Sequence, residues 1–190
     1  MTQKQRATRS ILVFALSGAI GFGVGGIIGA IMWGYRSPSE GQSFLSIALN
    51  GAMGGASLGL VLQGWKKAGV AALVGAISFS AATFIGVVIQ LVLWGFEPPP
   101  YFAGLFIGAI IGIFFGASLG LAFNGLKTAG LLALAGAIGF GVWFQAVSNL
   151  VFEVSSAKSF GIWGAIAGAT LGVALGYLEK RKANRETQPG

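Results

Sequence analysis

The sequence predicts an all-α integral membrane protein: a six-transmembrane-helix bundle made of three parallel two-helix repeats about a pseudo-threefold axis, with glycine-zipper packing. Three observations lead there. Apolar residues make up 55% of the chain and charged residues 9%, whereas soluble domains are about one quarter charged, so lipid is the solvent for most of the surface. Six apolar runs each approach the ~20 residues a helix needs to cross a bilayer. Finally, the 33 glycines recur in matching segments and often at four-residue spacing.

The first run, Ile11–Trp33, follows a basic N-terminal segment, residues 1–10, that carries Lys4, Arg6 and Arg9. It is too long for a signal-peptide core and lacks a small-residue cleavage site, so a retained span is expected. Phe44–Leu62, Ala68–Trp94, Tyr101–Phe123, Ala129–Phe152 and Phe160–Leu178 follow. None of the six contains Lys, Arg, Asp or Glu, as expected where a mid-membrane charge costs about 2.5–3.5 kcal/mol. The basic tail, residues 179–190, is expected to be disordered.

Charge orients these spans. Lys66 and Lys67 join spans 2 and 3, Lys127 joins spans 4 and 5, and Lys180, Arg181, Lys182 and Arg185 follow span 6; the other side has only Arg36 and Lys158. The positive-inside rule then predicts cytoplasmic termini, with a bacterial inner membrane as the expected location. Trp33, Tyr35, Trp94, Tyr101 and Trp163 mark the outer interface, and Trp65 and Tyr177 the inner one.

The chain divides into three similar units, 11–64, 65–126 and 127–178. Gly55-Ala56-Ser57-Leu58-Gly59-Leu60 matches Gly116-Ala117-Ser118-Leu119-Gly120-Leu121 and resembles Gly168-Ala169-Thr170-Leu171-Gly172-Val173. The turn Gly64-Trp65-Lys66-Lys67-Ala68-Gly69 matches Gly125-Leu126-Lys127-Thr128-Ala129-Gly130, and the odd spans share Gly18-Ala19-Ile20, Gly75-Ala76-Ile77 and Gly136-Ala137-Ile138. Two spans per unit give every copy the same orientation, hence parallel repeats.

Glycines lie four residues apart at Gly21, Gly25 and Gly29; at Gly51, Gly55 and Gly59; at Gly104, Gly108, Gly112, Gly116 and Gly120; and at Gly164, Gly168 and Gly172. With 3.6 residues per turn, each series traces a slowly winding groove. In lipid, where apolar burial gains little, such grooves let helix backbones approach closely. The grooves are expected to pack helices within the molecule; oligomer contacts and pore lining are the alternatives. Ser57, Ser118 and Thr170 flank them and can bridge helices or bond back to their own carbonyls.

The chain has no histidine or cysteine, and its carboxylates are Glu40, Glu97, Glu153, Glu179 and Glu186. No residue spacing supplies a nucleophile with its base, a metal site or a cofactor box, so neither catalysis nor a cofactor or metal is expected. The net charge of +7 sits at span ends, without a basic recognition module, so nucleic acid is not an expected partner. Candidate ligand-binding residues are Asn50, Gln90, Gln145 and Asn149, all near the outer boundary. Gln145, Ser148 and Asn149 share one helix face; a polar vestibule or register-fixing bonds between helices would both use it. Glu40, Glu97 and Glu153 lie in the outer loops as a candidate acidic mouth or as solvated charge. The function predicted is a non-enzymatic scaffold or accessory subunit packing against partner helices, lipids or cofactors. A channel or facilitator for a small, mostly uncharged solute is the alternative. Expected partners are membrane lipids and other membrane-protein subunits or further copies of the chain.

Overall fold

The computed structural model describes residues 3–34, 40–95, 102–150 and 157–186. They form six α-helices: α1 (Gln3–Gly34), α2 (Glu40–Gln63), α3 (Trp65–Trp94), α4 (Ala103–Asn124), α5 (Leu126–Leu150) and α6 (Ala157–Glu186). Every one contains a stretch long and apolar enough to cross a membrane. The predicted all-helical architecture with six candidate spans is therefore present, as an integral membrane protein requires.

The helices close into a ring. Each packs against its neighbours in sequence, and α6 returns to pack on α1. Adjacent helices run antiparallel: along α1 and α6, Ile11 meets Gly176 while Ile27 meets Gly161. The start of α1, the α2–α3 and α4–α5 turns and the end of α6 therefore share one end of the bundle, which holds Lys66, Lys67, Lys127 and, from α6, Lys180, Arg181, Lys182 and Arg185. Contacts are most extensive for α4–α5, α1–α6 and α2–α3, and lesser for α1–α2, α3–α4 and α5–α6.

Two of the tight pairs are joined by a single glycine. Gly64 (φ 76°, ψ −168°) separates α2 from α3, and Gly125 (φ 84°, ψ −165°) separates α4 from α5. That backbone region is essentially restricted to glycine. Each glycine also starts the next helix: Ala68 N–H donates to the Gly64 carbonyl at 3.1 Å, and Ala129 N–H to that of Gly125 at 3.0 Å. Gly64 N–H in turn donates to the Leu60 carbonyl at 3.0 Å, closing the last turn of α2.

The chain stays helical beyond the apolar run at its end. A disordered tail is expected from residue 179, yet α6 continues to Glu186. Glu179, Lys180, Arg181, Lys182 and Ala183 are all strong helix formers, and an already nucleated helix propagates through them readily. Residues 187–190 lie outside the described residues.

The ring interior is apolar. Phe22, Phe79, Phe115, Phe140, Leu58, Leu119 and Leu171 are buried almost completely. Leu12, Leu16 and Ile20 of α1, Leu73, Ile77 and Phe84 of α3, and Leu134 and Ile138 of α5 face outward, as lipid immersion allows. α3 is the least enclosed helix: 22% of its span is buried, against 39–44% for the others.

Candidate functional site

Helix backbones approach one another closely at glycine. Near the middle of each tight pair two glycines face one another: Gly51 and Gly75, Gly112 and Gly136, Gly18 and Gly168. A Cβ on either member would overlap the carbonyl group of the other. Successive turns continue the pattern. A Cβ at Gly55 would meet the Ala71 carbonyl oxygen, one at Gly116 the Leu132 carbonyl, and one at Gly120 would lie 2.5 Å from Ala129 N. A Cβ at Gly59 would lie 2.9 Å from the Lys67 oxygen, at Gly108 2.7 Å from Phe144 Cβ, at Gly164 2.6 Å from the Phe22 oxygen and at Gly172 2.5 Å from the Phe14 carbonyl carbon.

Against α2, the α1 glycines are progressively looser. A Cβ at Gly21 would overlap the Ser57 hydroxyl, one at Gly25 would lie 2.7 Å from Asn50 Oδ1, and one at Gly29 3.6 Å from the Ser46 oxygen. Gly104 is buried near the start of α4. Of the three flanking hydroxyls, Ser57 and Ser118 donate back to the Gly54 and Phe114 carbonyls at 2.9 and 2.8 Å. Thr170 donates to Ala167 at 2.7 Å and reaches the Ala135 carbonyl of α5 at 3.4 Å. Ser17, not singled out above, makes a short bridge between helices, 2.6 Å to the Ser57 carbonyl.

At the bundle centre four phenylalanines meet. Phe22 on α1 lies 5.4 Å from Phe115 on α4, the opposite member of the ring, and 5.5 Å from Phe140 on α5. Phe79 on α3 lies 5.3 Å from both Phe115 and Phe140, and Phe115 and Phe140 are 5.5 Å apart. Most of these pairs are edge-to-face, the arrangement that aromatic quadrupoles favour. One turn toward the basic end come Leu58, Leu119 and Leu171, each with no exposed surface. Rings and leucines together occupy the middle of the axis.

These central residues were missed in reading the sequence, although a signal exists. Each shared Gly-Ala-Ile is followed two positions later by phenylalanine: Phe22, Phe79 and Phe140. The fourth ring, Phe115, immediately precedes the Gly116 hexapeptide, where the matching positions are Gly54 and Ala167.

The polar candidates whose side chains are described, Asn50, Gln90 and Gln145, lie on three different helices, α2, α3 and α5. Gln145 Oε1 accepts from Leu105 N–H at 2.8 Å, satisfying one of the amides that the first turn of a helix leaves unpaired. Asn50, 7% exposed, lies beside α1 at Gly25, and its Oδ1 has no hydrogen-bond partner. The indole Nε1 of Trp143, three residues beyond Phe140, is likewise buried without a partner. Gln90 is half-buried on α3. The side chains of Asn149, Ser148 and Glu40, together with Glu97 and Glu153, lie outside the described residues, as does any convergence of the outer-loop carboxylates.

No protein-family model, curated protein or solved structure matches this chain.

Proposed function

We propose that this chain is a non-enzymatic membrane scaffold or accessory subunit, a six-helix bundle of three parallel two-helix repeats whose finished exterior packs against partner helices and lipid. The observation that carries this reading is the aromatic centre: Phe22, Phe79, Phe115 and Phe140 occupy the position where a transport path along the axis would run. In the repeat reading, Phe22, Phe79 and Phe140 are equivalent residues, as are Leu58, Leu119 and Leu171. Glycine zippers then bring the helices close enough for those side chains to meet. Both termini are assigned to the cytoplasm because the basic residues gather at one bundle end, and a bacterial inner membrane suits that arrangement.

α3 offers the broadest unenclosed face for a partner helix. Photocrosslinkers at Leu73, Ile77 and Phe84, followed by purification in mild detergent, test the reading. A discrete membrane-protein adduct, shared by these sites and absent at the outward-facing Leu12, is the expected result. Recovery without adducts, together with solute flux from liposomes, overturns it. The facilitator reading draws on one observation, the unpartnered Asn50 Oδ1 and Trp143 Nε1; flux that disappears in Asn50→Leu would favour it.

A further inference from the structure

The basic end of the bundle is asymmetric. α2 and α4 turn at once into α3 and α5 through Gly64 and Gly125, whereas α6 runs on past its apolar stretch to Glu186. Between this overhang and the start of α5 lies a groove of about 800 Å³. Lys127 lines it from α5, and Arg181, Lys182 and Arg185 line it from α6. All four are exposed, and among the described residues one carboxylate, Glu179, lines the groove with them.

The groove also has a direction. Leu131 lies one turn into α5 from Lys127, and Tyr177 and Leu178 lie about one turn before Arg181 and Lys182, so the wall nearer the membrane is apolar and the outer wall is cationic. Like charges brought together from two helices repel unless an anion lies between them, and Arg guanidinium groups bind phosphate through paired hydrogen bonds. A free phosphate would leave the apolar wall unused. A phospholipid would use both walls, with its chains beside Leu131 and Tyr177 and its phosphate among the cations. We infer that this groove is a binding site for an anionic phospholipid, selected over zwitterionic lipid because the latter carries its own cation into an already positive site. The same arrangement, a basic pocket between helices at the membrane surface, is suited to phosphate headgroups in general. The site is independent of whether the bundle acts as a scaffold.

The test is native mass spectrometry of the full chain in detergent containing equal amounts of phosphatidylglycerol and phosphatidylcholine. Expected is a preferred phosphatidylglycerol adduct whose retention falls about fivefold per cation removed in Lys127→Gln, Arg181→Gln and Arg185→Gln. Lys66→Gln/Lys67→Gln, at the α2–α3 turn without an overhang, should keep it. These side chains are exposed, apart from the half-buried Lys67, and an unchanged melting temperature verifies each variant. Equal retention of the two lipids, or an equal loss in the Lys66/Lys67 variant, overturns the site. Displacement of the adduct by millimolar inorganic phosphate or glycerol phosphate also overturns it, since the groove would then be reading a soluble anion.

Discussion

The tip of the Phe22 ring occupies the space where a side chain at Gly54 would begin. Phe22 cannot easily swing aside, because Phe115 and Phe140 hold it from the other faces. Gly54→Leu should therefore destabilise the bundle by about 1–3 kcal/mol, the usual cost of overpacking. Phe22→Ala in the same chain should recover part of that loss, giving a coupling of about 0.5–3 kcal/mol in a double-mutant cycle. Thermal unfolding in detergent measures it; strictly additive effects would show that the two positions do not share space.

Glycines with and without neighbours give a matched control. A side chain at Gly116 would run into the Leu132 carbonyl of α5, whereas a Cβ at Gly130 or Gly69 would have nothing within 4 Å. Gly116→Leu should lower the unfolding midpoint or alter assembly, while Gly130→Leu and Gly69→Leu should stay within about 0.5 kcal/mol of the parent, as surface changes do. Equal behaviour of all three variants would leave the close approach of α4 and α5 without energetic weight.

At Gly125 the constraint is conformation rather than space. No atom lies within 4 Å of an added Cβ, yet φ is +84°. Gly125→Ala should cost about 1–3 kcal/mol through backbone strain alone, as should Gly64→Ala at φ +76°. Melting temperatures equal to the parent's would mean that the turn relaxes into another geometry without loss.

How much of this was legible in the sequence follows from what each signal encodes. The six spans were legible because exclusion of charge from a ~20-residue run is a local property. So was the glycine spacing on α2 and α4, which follows from helical periodicity. Partner choice was not. Gly51 meets Gly75 through the geometry of the Gly64 turn, which spacing within either helix does not state, and Gly18 meets Gly168 across most of the chain, a pairing that depends on ring closure. The central phenylalanines were obscured for a related reason. An apolar ring facing lipid and one facing the core look alike where every face is apolar, and only the shared Gly-Ala-Ile-x-Phe register separates Phe22, Phe79 and Phe140 from an exposed ring such as Phe84. The polar candidates left two readings open in sequence, a vestibule or bonds between helices. Gln145 bonds the start of α4, as the second expects, whereas Asn50 lies beside α1.

That difference is itself measurable. Gln145→Leu removes the acceptor for Leu105 N–H and should cost about 1 kcal/mol, a typical net hydrogen-bond contribution. Asn50→Leu removes an acceptor that is already unpartnered, so its stability should equal or exceed that of the parent. Unfolding curves for the two single variants decide the matter, and a larger loss at Asn50 than at Gln145 would contradict the assignment.

Phe115→Ala bears most directly on function. Its ring contacts Phe22, Phe79 and Phe140, just as Phe140 contacts the other three. Truncation should cost about 3–5 kcal/mol through lost contact and the cavity left behind. The four-residue-earlier partner on α4, Ile111, is also fully buried, so the outer side of the cavity stays covered, while Leu58, Leu119 and Leu171 cover it toward the basic end. A lower unfolding midpoint with unchanged liposome permeability is therefore expected, because the bundle loses its centre without gaining a path. If Phe115→Ala instead raised the flux of water or a small neutral solute, the rings would be acting as the barrier of a conduit, and the scaffold reading would give way to the facilitator.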